Sequence, residues 1–262
     1  MANLSMFDLT GKKAVVVGGA GGIGQAIAEG LVEAGAQVMI SSRKEESLLR
    51  AKKEIKESVG LDVLYCVGNA AKESDVEELL ATAIKEMGTV DILVNSQGYN
   101  KKHPGTEFPV EIWDAMFDTN VKSIMLTCKH FGKYMLEHNI HGKIINVGSV
   151  RGIRAVGNGG GGNVGYCATK GAVEMLTKAF ASDLRPNIQV NLIGPTVTYT
   201  PMMVGILPDD PEKRAAMASR MPAMRIGEVD DCKGTAIFLA SAASDFITGA
   251  SIYPDGGLTA IG

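Results

Sequence analysis

Short β-branched runs alternate with longer amphipathic stretches from one end of the chain to the other, the pattern of parallel strands in a sheet covered by helices on both faces. Residues 14–17, 37–40, 62–66, 92–94, 143–147, 189–192 and 250–253 read as seven strands, each too short and too apolar for a surface helix. Between them, residues 26–34 place Ile27, Leu31 and Ala34 on one stripe, and residues 76–87 do the same with Val76, Leu79, Leu80, Ala83 and Met87. No linker, charge block or internal period divides the chain, so the pattern predicts one α/β domain over residues 1–262, built on a doubly wound parallel sheet. Two stretches break the alternation, the glycine-dense 157–165 and the Met- and Pro-rich 198–224. Long irregular segments in compact domains serve as binding loops or lids.

Composition narrows the class. A chain of 262 residues with 45% hydrophobic and 21% charged residues buries a sizeable core. Basic and acidic residues number 26 and 29, without the basic stripe that a nucleic-acid backbone requires, so nucleic-acid binding is not expected. The scattered cysteines Cys66, Cys128, Cys167 and Cys232 form neither a metal clamp nor a disulfide framework, which suits a reducing, cytoplasmic setting. Neither a signal-like start nor a membrane-length apolar run is present, and His138 and His141 lack further ligands, so no membrane or metal role is expected. Glycine is the outlier, at 32 residues against a usual share of about 7%.

The first strand runs straight into Gly18, Gly19, Ala20, Gly21, Gly22, Ile23 and Gly24 and then into an apolar-striped helix. Strand, glycine turn and helix in that order make a phosphate site: a pyrophosphate reaches the helix N-terminal amides only where no Cβ intervenes, and the helix dipole favours its charge. Further on, Tyr166 and Lys170 stand at i, i+4 in a predicted helix, with phenol and ammonium on one face. A phenol of pKa near 10 becomes a base at neutral pH if a cation lowers it by about 2 to 3 units, and Lys170 is the expected source.

In these residues the chain resembles the short-chain dehydrogenase/reductase family, whose T-G-x-x-x-G-x-G turn is matched by Gly18, Gly22 and Gly24, with Val17 in place of the threonine. Ser149, just past the fifth strand, stands at the family's catalytic serine, and Asn120 in Asp118-Thr119-Asn120-Val121 at its relay asparagine. The resemblance implies a Rossmann-like fold, a nicotinamide cofactor, and hydride transfer between that cofactor and a ketone or secondary alcohol. It makes Tyr166 the general acid/base, Ser149 the group that orients the carbonyl, Lys170 the ribose ligand that tunes the phenol, and Asn120 the holder of a relay water.

The same resemblance extends the cofactor site to Gly21, Ile23, Asn69, Ala70, Asn95, Gly98, Pro195, Val197 and Thr200, with Asn95-Ser96-Gln97-Gly98 at the family's N-N-A-G and Asn69 where an aspartate meets adenine. NAD-preferring members carry an acidic residue at the end of the second strand. This chain has Ser42 and Arg43 there, which suit the 2′-phosphate of NADP and make NAD the lesser expectation. The stretch between Ser149 and Tyr166 is longer than usual for the family and glycine-packed, and is expected to form a wall that closes on the substrate.

Residues Asn100, Lys101, Lys102, His103 and Pro104, followed by Glu107, Phe108 and Pro109, resemble the corresponding loop of gluconate 5-dehydrogenases, and its basic residues are expected to meet a substrate carboxylate. A sugar acid or polyol is therefore the first expectation for the substrate. A 3-oxoacyl carrier-protein reductase is the second, and a non-catalytic NADP-binding sensor a third of another class. The family's habit implies a homo-oligomer, commonly a tetramer.

Overall fold

Side chains of strand β1 (Lys13–Val17) point alternately to the two faces of a sheet, and all except Lys13 are buried. Val16 aligns with Ile40 of β2 (Gln37–Ser42) and Val94 of β4 (Ile92–Asn95) on one face. There they pack with Ile27 and Leu31 of α1 (Gly22–Glu33), Leu48 and Ile55 of α2 (Glu45–Val59), and Leu239 of α8 (Lys233–Ala240). Val15, Met39, Leu93 and Ile144 form the matching row on the other face. That row is covered by Val76 and Leu79 of α3 (Glu73–Met87), Ile124 and Phe131 of α5 (Ser123–Glu137) and Val173 of α6 (Val164–Asp183). Each such side chain removed from water contributes about 1.5–3 kcal/mol, which is why both helical layers hold to the sheet.

The computed structural model describes residues 4–155, 163–200 and 210–261. Its seven-stranded sheet runs β3-β2-β1-β4-β5-β6-β9, parallel throughout, with β3 at Leu64–Val67, β5 at Gly142–Val147, β6 at Ile188–Ile193 and β9 at Ser251–Ile252. This is the expected Rossmann-like, single-domain doubly wound sheet. The chain moves outward from β1 to β3 and then returns to β4, so connections leave β1 and β4 in opposite directions and open a crevice at their carboxyl ends.

Boundaries shift where local chemistry overrides periodicity. The third strand begins at Leu64 rather than 62, with Asp62 held by ion pairs to Lys52 and Lys56 of α2. The first helix begins at Gly22, ahead of its apolar stripe, because the glycine turn itself supplies the first turn. A second pair, β7 (Thr198–Tyr199) with β8 (Gly227–Glu228), brackets α7 (Pro211–Ala218) beside the crevice. Among the described residues no helix is long and apolar enough to cross a membrane, and all four cysteines are free thiols.

Candidate active site

The crevice is a cleft of about 1100 Å³ lined from the ends of β1 through β6, from α6 and from α7. At β1 the chain turns at Gly18 with φ +80°, where a Cβ would lie 2.6 Å from the Gln97 amide nitrogen. A Cβ on Gly24 would collide with the Gly18 carbonyl. Gly21 differs: a Cβ there meets nothing nearer than Arg50 Nη2 at 3.9 Å, so its missing side chain leaves room open to the cleft. Gly21 is also the N-cap of α1 and no side chain caps it, so the first amides of the helix keep their hydrogen-bonding capacity for an anion.

Ser42 and Arg43 at the end of β2 line the cleft, as do Asn69, Ala70, Gly98, Pro195, Val197 and Thr200. Arg50 of α2 joins them; it donates to the Ala20 carbonyl at 3.3 Å, and because it reaches the cleft from the helical layer, no local motif marks it. Asn69 Oδ1 accepts from the Ala71 amide at 3.2 Å, and Asp75 Oδ2 accepts from the Asn69 amide at 2.9 Å. The residue is thereby fixed, with one Oδ1 lone pair left for a base.

Asn95 is a correction. It does not line the cleft but is fully buried, donating through Nδ2 to Asn146 Oδ1 at 2.9 Å and accepting at Oδ1 from Thr127 Oγ1 at 2.7 Å. It ties β4 to β5 and α5. Asparagine at the end of a central strand follows the family pattern in letters, while its side chain faces the sheet's neighbours instead of a ligand.

Ser149 follows Gly148, whose Cβ would lie 2.7 Å from Leu192 Cδ1, so only glycine passes there. Its Oγ accepts from the Arg151 amide at 3.1 Å and caps the short turn Val150–Gly152. A Cβ at Gly152 would stand 2.8 Å from the Lys170 carbonyl, which is how α6 comes close enough to bring Tyr166 to Ser149. The Ser149 hydroxyl donates to the Pro195 carbonyl at 3.4 Å and stands near enough to Tyr166 to favour its phenolate. Glu174, one turn beyond Lys170, accepts from Ser251 Oγ and Tyr253 Oη, each at 2.6 Å, and so pins the same helix to the β9 region.

Lys170 is 3% exposed and donates to the Val147 carbonyl at 2.8 Å, with Nζ 5.7 Å from the centre of the Tyr166 ring. Burial pushes the Tyr166 phenol up to about 12 and the Lys170 ammonium down to about 8. This overturns the expectation of a phenol made acidic by Lys170. Desolvation disfavours both charged forms, and what opposes it at Tyr166 is the nearby Ser149 hydroxyl and the Arg151 charge.

Asn120, also expected in the site, lies outside the cleft lining, on a π-helical turn, Asp118–Lys122, between α4 (Val110–Phe117) and α5. Its amide accepts from the Tyr99 amide at 2.7 Å and donates to the Tyr99 carbonyl at 2.9 Å and to Thr169 Oγ1 at 3.0 Å. It clamps the segment after β4 to the catalytic helix.

Gly157 and Gly159 to Gly162, together with Met202 and Met203, lie outside the described residues. Gly165 belongs to the first turn of α6, where Phe108 packs so near that a Cβ would be 2.9 Å from its Cζ. Of the basic loop, Asn100 and Lys102 line the cleft and Lys101 does not, while His103 stacks edge-on to Phe108 at 5.5 Å. Met217 lines the cleft, but Met221 is buried and Met224 exposed. His138 is held by the Tyr134 carbonyl at 2.9 Å; among the described residues the groups near enough to share a cation are instead Glu73, Glu77 and His130, where Lys129 already pairs with Glu73.

Four buried side-chain atoms among the described residues have no hydrogen-bond partner, Gln97 Oε1, Asn100 Oδ1, Asn163 Oδ1 and Thr196 Oγ1, and all four residues line this cleft. Such an atom costs about 1–3 kcal/mol unless something satisfies it, so the orphans mark where ligand atoms or water are met. With the uncapped helix and the open space at Gly21, they fit a dinucleotide laid across the strand ends.

The family described as Enoyl-(Acyl carrier protein) reductase matches residues 18–259. Glucose 1-dehydrogenase of Gluconobacter oxydans is 36% identical over 96% of this chain and 93% of its own. Gluconate 5-dehydrogenase of the same organism is 35% identical over 99% of both. The crystal structure of a gluconate 5-dehydrogenase from Burkholderia cenocepacia in complex with NADP and tartrate superposes with a TM-score of 0.90 at 35% identity, covering 99% of each chain. Likeness of this extent, with a cleft carrying Ser149, Tyr166 and Lys170, makes the chain a member of the short-chain dehydrogenase/reductase family and an oxidoreductase acting on alcohol and keto groups.

Proposed function

We propose that the protein is an NADP-dependent oxidoreductase that interconverts a ketone and a secondary alcohol on a small sugar acid, in the manner of gluconate 5-dehydrogenase. The observation that carries this reading is the charge of the cleft wall. Its basic lining residues are Arg43, Arg50, Lys102, Arg151, Lys170, Lys213 and Arg220, and no Asp or Glu is among the described lining residues, in a chain whose net charge is -3. Cations gathered at one cleft of an acidic protein fit anionic ligands at both ends, a phosphorylated ribose near Arg43 and Arg50 and a carboxylate near Arg151 and Arg220.

The reduced nicotinamide, when bound, supplies the hydride. The chain supplies the rest. Tyr166, protonated at any ordinary pH, gives its proton to the carbonyl oxygen, and the adjoining Ser149 hydroxyl holds that oxygen in place. Lys170, charged below about pH 8 and anchored to the Val147 carbonyl, meets the ribose hydroxyls. Asn120 acts here as a positioning residue, because its amide hydrogens are both engaged within the chain. Of the stretch expected to be a substrate lid, the described helix α7 contributes Lys213 and Met217 to the cleft.

NADP is favoured by Ser42, Arg43 and Arg50 at the adenosine end and by the NADP bound in the Burkholderia cenocepacia protein. The acyl carrier-protein alternative is not favoured, since relatives matched over nearly the whole chain are named for sugars and sugar acids. The test is turnover of NADPH and NADH with 5-keto-D-gluconate, glucose, polyols and an acetoacetyl thioester. The expected result is highest kcat/KM for the keto acid with NADPH; turnover confined to neutral sugars or to the thioester would overturn the reading.

A further inference from the structure

We infer that Arg151 reads the substrate carboxylate and sets the preference of this site for acids over neutral sugars, an assignment that rests on the sugar-acid reading above. Arg151 stands two residues beyond Ser149, and its amide donates to Ser149 Oγ at 3.1 Å. The guanidinium is thus carried on the same rigid turn as the hydroxyl that holds the reacting carbonyl, so the two ends of a short substrate are registered by one backbone segment, Val150–Gly152.

Its surroundings are unusual for a cation. Arg225 and Lys233 elsewhere in the chain pair with Asp231 and Glu29. Arg151, half-buried in the cleft wall, has no carboxylate partner among the described residues; among them its guanidinium donates only to the Ala155 carbonyl, from Nη1 at 3.1 Å. Burial and the like charges of Arg154 and Arg220 disfavour its charged form. Arg154 is itself held by the carbonyls of Leu258 and Ile261, whereas Arg220, past the end of α7, also lines the cleft without a carboxylate partner among the described residues. An arginine that is partly desolvated, crowded by other cations and left with free N–H groups is a waiting anion site. A carboxylate satisfies it with two parallel hydrogen bonds, and a hydroxymethyl group does not.

The other cations of this wall are placed differently. Lys213 already faces Asp210 at 3.6 Å, and Lys102 comes from the loop after β4. Arg151 alone among them shares a hydrogen-bonded segment with the catalytic serine.

The experiment compares 5-keto-D-gluconate with L-sorbose, which carries a hydroxymethyl group where the acid has its carboxylate, using NADPH-saturated wild type, Arg151→Gln and Arg151→Lys. The expected result is a fall of about 50-fold or more in kcat/KM for the acid in Arg151→Gln, mostly through KM, with L-sorbose changed less than about 3-fold, and partial recovery in Arg151→Lys. Should L-sorbose turn over too slowly, calorimetric binding of gluconate to the enzyme–NADPH complex gives the same comparison, with Kd raised about 20-fold or more. Equal losses on both substrates, or an unchanged preference for the acid, would overturn the role of Arg151. A wild type with no preference for the acid would instead overturn the sugar-acid reading itself. If Arg151→Gln fails to fold, Arg151→Lys decides alone: its fork is lost, so an unchanged acid-to-sorbose ratio refutes the assignment.

Discussion

Lys170 and Tyr166 lie one helical turn apart on α6, yet the ammonium is anchored to the Val147 carbonyl at 2.8 Å and stands 5.7 Å from the phenol ring centre. The pair is therefore tuned by burial, with the phenol up to about 12 and the ammonium down to about 8. The sign follows directly: below pH 8 Lys170 is charged and Tyr166 protonated, the state that ketone reduction needs, and above pH 8 the charge is lost while the phenol stays protonated. We expect kcat/KM for NADPH, which reports the free enzyme, to fall above about pH 8. Lys170→Arg, which cannot deprotonate in that range, loses the alkaline limb at the expense of a lower plateau. A pH profile that is flat from 6 to 10 in the wild type would contradict this.

Gly21 and Gly24 separate binding from folding. A methyl group at Gly21 has space on the protein side and projects toward the phosphate cradle, so Gly21→Ala folds with nearly wild-type Tm while its Kd for NADPH rises about 10-fold or more. At Gly24 the added Cβ runs into the Gly18 carbonyl, so Gly24→Ala loses stability, by about 1–3 kcal/mol, as well as affinity. Thermal melts with and without NADPH distinguish the two.

The strands, both helical layers and the glycine turn were legible because each rests on local chemistry: β-branched runs, apolar stripes and the order of strand, turn and helix. Ser149, Tyr166 and Lys170 were legible through motif spacing, and the structure brings all three to one cleft. What stayed hidden is what depends on contacts across the fold. The side chains of Asn95 and Asn120 match a pattern in letters, but their partners Asn146, Thr127 and Thr169 come from elements far away in sequence. Arg50, Arg151 and Arg220 are unremarkable in sequence and become a set only when α2, the turn after β5 and the end of α7 meet at the cleft. The phenol's direction of shift was misread for the same reason, since burial is a property of the packed helix and not of its i, i+4 spacing.

Asn95 gives a direct check of one such contact. Asn95→Ala takes one buried partner from each of Thr127 and Asn146, which keep the Ser123 carbonyl and Thr177 Oγ1 respectively, and is expected to destabilise the fold by about 1–3 kcal/mol. Because the side chain does not line the cleft, KM for NADPH stays within about 3-fold of wild type. Denaturant unfolding and steady-state kinetics on the same preparation measure the two quantities; a large rise in KM with unchanged stability would return Asn95 to the cofactor site.

Cofactor choice turns on the end of β2. Ser42 leaves room beside Arg43, and Arg50 approaches from α2 with its guanidinium held near the glycine turn by the Ala20 carbonyl. Two guanidinium groups favour a 2′-phosphate in a partly exposed setting, where each charge-assisted contact contributes about 1–3 kcal/mol. Arg43→Ala should therefore raise KM for NADPH about 10- to 100-fold and leave KM for NADH almost unchanged, because only the phosphorylated ribose loses a partner. Ser42→Asp goes further: its carboxylate repels the 2′-phosphate and accepts from the free ribose hydroxyls, so the ratio of kcat/KM for NADPH over NADH inverts. Parallel initial-rate measurements with both nucleotides at fixed ketone decide it, and equal losses for NADPH and NADH in Arg43→Ala would place the 2′-phosphate elsewhere.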